Sequence, residues 1–74
     1  MEKATLVRDG IYSLIAGYFG EPTAKNFLDY HDTETLPIFT HEALNVLSDF
    51  IGRDKAKSEL QDIYTKNNMT HAYV

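Results

Sequence analysis

Apolar residues recur at helical spacing along four stretches of the chain. Val7, Ile11, Leu14, Ile15 and Tyr18 follow one another at intervals of one, three or four, while Lys3 and Asp9 stand off that stripe. This predicts a first helix from about Glu2 to Phe19, closed by Gly20 as a left-handed cap. A second helix is expected to open at Pro22, where the missing N–H does no harm, and to end by about Asp32, with Ala24, Phe27, Leu28 and His31 on one face. In the stretch Thr33–Phe39, Pro37 should force Leu36 out of helical geometry and make a linker. Leu36, Ile38 and Phe39 are too apolar for a solvated loop, so that linker is expected to lie across the open end of the core.

Thr40 is a suitable N-cap, and Phe39 and Leu44 stand where a hydrophobic staple would. The third helix is then read over His41–Ile51, where Ala43, Leu44, Val46, Leu47, Phe50 and Ile51 make it the most apolar and hence the central element. Gly52 should stop it. A fourth helix is expected from about Asp54 to Lys66 with Ala56, Leu60, Ile63 and Tyr64 inward, before a tail over 67–74 without helical period.

The two halves align without a gap at an offset of 32 residues, which sets Gly20 on Gly52, Ala24 on Ala56, Lys25 on Lys57 and Leu28 on Leu60. The same offset pairs Leu14 with Val46, Ile15 with Leu47, Tyr18 with Phe50 and Phe19 with Ile51. The expected fold is therefore all-α: four short helices forming two αα-hairpins, about 2–32 and 40–66, related by an internal repeat and a rough twofold. Residues 1–66 would form one domain. A row of small residues, Gly10, Ser13, Gly17 and Gly20, runs beside the first apolar stripe. Two interior glycines cost roughly 1 kcal/mol each against alanine, which close approach of another helix would offset. The second or fourth helix of the same chain is the expected occupant, a partner helix the other.

Size and charge narrow the function. Seventy-four residues allow one domain that buries only about 60% of its unfolded surface, a marginal core. There is no cysteine, no apolar run near the roughly 20 residues of a membrane span, and no basic-then-apolar start in Met1-Glu-Lys-Ala-Thr, so a cytoplasmic protein is expected. A formal charge of −4 opposes non-specific attraction to nucleic acid or anionic lipid and leaves another protein as the expected partner.

No catalytic signature emerges. His31, His41 and His71 form no pair at three or four residues, and Asp32 and Glu42 are directly adjacent to histidines and so point elsewhere; neither a metal site nor a cofactor is expected. No nucleophile has an identifiable base at usable spacing, and no glycine-rich phosphate loop is present, so the chain is not read as an enzyme. A helix, a glycine and a helix also begin the helix-turn-helix motif, with Lys55, Lys57, Ser58 and Gln61 offered to the groove. Ser58 and Asn26 stand where that motif carries an apolar anchor, and Glu59 and Asp62 would face phosphates. The reading is thus a small acidic helical protein–protein interaction or regulatory module, with a helix-turn-helix nucleic-acid-binding regulator as the alternative.

The repeat also suggests a surface. Phe27 falls on Glu59 and His31 on Ile63, so the two second helices cannot bury identical faces. If the Phe27 position is peripheral, then Phe27, Tyr30, His31 and Phe39, rimmed by Asp29, Asp32 and Glu34, form an aromatic protein-binding patch. The competing expectation is that Leu36 and Phe39 fold back and bury Phe27. Tyr12, at the edge of the first stripe, suggests a homodimer through the first helix.

Overall fold

A computed structural model describes residues 3–69, and these form four α-helices: α1 (Lys3–Phe19), α2 (Glu21–Tyr30), α3 (Leu36–Ile51) and α4 (Arg53–Lys66). Among the described residues there is no strand. The expected start at Glu2, His71 and the end of the tail lie outside them.

One glycine joins α1 to α2 and another joins α3 to α4. The Gly20 amide donates to the Ala16 carbonyl (2.9 Å) and its own carbonyl accepts from Ala24 (3.1 Å); Gly52 repeats this with Ser48 (3.0 Å) and Ala56 (3.1 Å). Each glycine therefore closes one helix and opens the next. Their backbone angles nearly coincide, φ 94 ψ 157 at Gly20 and φ 88 ψ 154 at Gly52. This corrects the expected left-handed cap: positive φ with extended ψ is a region essentially reserved for glycine.

The largest departure from expectation is the start of α3. It begins at Leu36, five residues before the expected His41, with Thr35 rather than Thr40 as N-cap and Pro37 within the first turn. Proline in a first helical turn removes an N–H that has no intrahelical partner anyway, so it starts the helix instead of delaying it. The Phe39 amide closes the first turn on the Thr35 carbonyl (2.9 Å). Phe39 and Thr40, both fully buried, thus face the core from a helix, and the Thr40 Oγ1 and Tyr64 Oη are hydrogen-bonded at 2.8 Å. At the other end α4 stops where expected. The Met69 amide reaches the Tyr64 carbonyl (2.9 Å) and the Asn68 amide the Thr65 carbonyl (3.0 Å), with Asn68 at φ 60, a Schellman closure that lays Met69 on the core.

The helices pack around Val7, Ile11 and Ile15 of α1, Phe39, Ala43, Leu44 and Leu47 of α3, and Ala56, Leu60 and Tyr64 of α4, all fully buried. Helices α1 and α3 run in the same sense, because Arg8 meets Phe39 near one end and Tyr18 meets Phe50 at the other. Helix α4 runs against α1, with Ile63 beside Gly10 and Glu59 beside Tyr18.

The two joints match, but the docking of the second helices does not follow a twofold. Such an axis would pair α2 with α3 as α4 pairs with α1, yet the α2 backbone approaches α1 alone. Two substitutions within the repeat explain the break. Gly10 admits Ile63 so closely that a Cβ there would lie 2.8 Å from Ile63 Cγ2; the matching position in the second half is Glu42, and Ile63 is matched by His31. Side chains must fill the space between α2 and α3 instead.

Candidate functional site

Those side chains are the aromatic residues singled out in the sequence. Phe27 and His31 lie one turn apart on the inner face of α2 with ring centroids 4.6 Å apart, and Phe27 meets Phe39 edge-on at 5.2 Å. The Arg8 guanidinium lies over the Phe39 ring at 4.7 Å and donates through Nη2 to the Glu34 carbonyl. Glu34 turns its carboxylate to His31, Oε1 to Nδ1 at 2.7 Å. Phe39 is fully buried, and Phe27 and His31 nearly so. The expected aromatic docking patch is therefore corrected at three of its positions: once α3 starts at Leu36, Phe39 enters the core and draws Phe27 in with it. Tyr30 alone of that group remains outside, 82% exposed and touching His31 edge-on at 4.8 Å. Tyr12 is half-buried against the core.

The opposite end of the bundle carries a different aromatic group. Phe50, one of the residues that make α3 the most apolar helix, is 59% exposed. Its ring is edge-on to Tyr18 at 5.8 Å and tilted on Phe19 at 5.0 Å, so the last turns of α1 and α3 share one aromatic cluster beside both glycine joints. A signal for this exists in the sequence: Thr40, Leu44, Leu47 and Ile51 complete an inward row at steps of four, three and four, which leaves Phe50 with Val46 on its edge. Tyr18 is held in place by its hydroxyl, which donates to Glu59 Oε2 at 2.8 Å. That bond, then burial, then the charge on Glu59 raise the Tyr18 pKa above the ordinary tyrosine value.

Between α1 and α4 runs an open groove of about 340 Å³ lined by Gly10, Ser13, Leu14, Glu59, Asp62, Ile63 and Lys66. The small-residue row is thus occupied by α4 at Gly10, whereas a Cβ at Gly17 would meet nothing within 4 Å. No group of three potential metal ligands comes together among the described residues. His31 is committed to Glu34, and His41 is exposed on α3. Among the described residues no helix is long and apolar enough to cross a membrane.

Compared with known protein families, with curated proteins and with solved structures, the chain matches none.

Proposed function

We propose that the chain is a small acidic helical module that docks on another protein, in a regulatory or adaptor capacity and without catalysis of its own. One observation carries this reading: Phe50 stands 59% exposed with its ring against those of both Tyr18 and Phe19. Full burial of such a side chain is worth about 1.5–3 kcal/mol, a sizeable fraction of what a domain this small has, so a partner that covers it recovers free energy the fold alone forgoes. A single exposed apolar residue means little, but contiguous rings do. Net charge supports the same class of partner. Lys55, Lys57 and Ser58 do lie exposed on α4, but so do Asp54 and Asp62, which a phosphate backbone would repel.

The test is affinity capture from the source cells with the wild-type chain and with Phe50→Ser. The variant is expected to lose the specific partner while its helical circular dichroism stays unchanged. Equal capture by both would reject the cluster as the docking surface, and salt-sensitive retention of the acidic chain on heparin would favour the nucleic-acid alternative.

A further inference from the structure

We propose that α2 is a strap: it detaches from the bundle as one unit, melting as it leaves and carrying Phe27 off the Phe39 ring, while α1, α3 and α4 stay folded. The inference goes beyond the docking reading of Phe50 and stands without it. Of the ten residues of α2 only Ala24 and Phe27 are buried, and its backbone approaches α1 alone. Helices α1, α3 and α4, by contrast, each approach the other two. Ile63 of α4 fills the notch at Gly10 of α1, and Tyr64 is hydrogen-bonded to Thr40 of α3 at 2.8 Å. Losing α2 therefore leaves three helices with a core in common, whereas losing any of those three would dismantle it.

The strap has boundaries at both ends. It starts from Gly20, whose backbone angles are open to glycine. Beyond its far end, Arg8 of α1 lies over the Phe39 ring and donates to the Glu34 carbonyl, so α1 itself pins the start of α3. Between that anchor and α2 the holds are side chains: His31 Nδ1 to Glu34 Oε1 at 2.7 Å, and the Phe27 ring edge-on to Phe39 at 5.2 Å. Breaking these and the packing on α1 frees α2 without disturbing the turn that Arg8 holds. A helix of ten residues is too short to persist alone in water, so detachment also opens the hydrogen bonds within α2. Contiguous units less stable than the whole are a general property of folded chains, and few buried apolar contacts mark where they lie.

Native-state hydrogen exchange of the full chain, followed amide by amide by NMR under rising sub-denaturing urea, tests this. The amides from Ala24 to Tyr30 are expected to share one opening equilibrium, roughly tenfold or more larger than that of the slowest α3 and α4 amides, with a shallower urea dependence because less surface is exposed. Gly10→Ala supplies a second reading, since an added methyl there crowds Ile63 whether α2 is docked or detached. It should speed exchange in α3 and α4 by about fivefold or more and leave α2 unchanged, because the step from docked to detached is untouched. If α2 exchanges with the constant and slope of α3, or if Gly10→Ala accelerates it in step with α3, the four helices form one cooperative unit and the proposal is overturned. Exchange that differs from amide to amide along α2 without urea dependence would show fraying of single turns, and overturns it equally.

Discussion

The fold alters the titration of Tyr18, and it does so through Glu59. The hydrogen bond, burial and the carboxylate charge all favour the protonated phenol, so its folded-state pKa lies above the unfolded value of about 10. A raised pKa means the folded chain holds that proton more tightly than the unfolded chain. The resulting stability is fully present below about pH 10 and is lost as pH rises through the folded-state value. Tyr18→Phe removes the proton and the bond together. Thermal midpoints of the two proteins followed from about pH 8 to about pH 11 should therefore differ in favour of the wild type at the lower end and converge at the upper, the other tyrosines cancelling in the difference. A gap that is constant with pH would mean that Glu59 does not hold the phenol in solution.

The meeting of α1 and α4 turns on a single missing methyl. At Gly10 an added Cβ would lie 2.8 Å from Ile63 Cγ2, an atom on a β-branched side chain that cannot swing aside, whereas at Gly17 it would meet open space. Gly10→Ala should thus destabilise by about 1–3 kcal/mol through overpacking, while Gly17→Ala should stabilise by up to about 1 kcal/mol through helix propensity. Urea denaturation of the pair checks both signs at once. Four helices and both glycine joints were legible in the sequence because apolar spacing and glycine are local signals. The start of α3 was not, because Pro37 is consistent with a break before it and with a first turn around it, and the choice depends on whether Phe39 finds a ring to pack on. That ring is Phe27, which is distant in sequence. The candidate patch was lost for the same reason, whereas Phe50 could have been placed outside by following the inward row to Ile51.

For the molecule as a whole, α3 supplies the largest share of a core with little to spare. Leu47 is fully buried within that core. Leu47→Ala should cost roughly 2–5 kcal/mol, against a total of about 4–11 kcal/mol expected for 74 residues at 0.05–0.15 kcal/mol each. Chemical denaturation should find the unfolding free energy of the variant lower by that amount; a loss below about 1 kcal/mol would mean the core is looser than its burial implies.

The two glycine joints have a further consequence, for where the chain tolerates a change in length. Each joint is one residue long, bonded on both sides, and held at backbone angles open to glycine. One residue inserted beside Gly20 would turn the whole of α2 by about 100° about its axis, carrying Ala24 and Phe27 off the core and charged positions onto it. The same insertion beside Gly52 would do this to α4. Between α2 and α3, by contrast, Asp32 and Thr33 lie exposed, outside both helices. Added length there would leave every inward face in register, so long as Glu34 keeps its hold on His31 and on Arg8. Insertions and deletions should therefore be accepted at that connection and refused at the joints, and the same position is the natural one for a tag or a circularly permuted terminus.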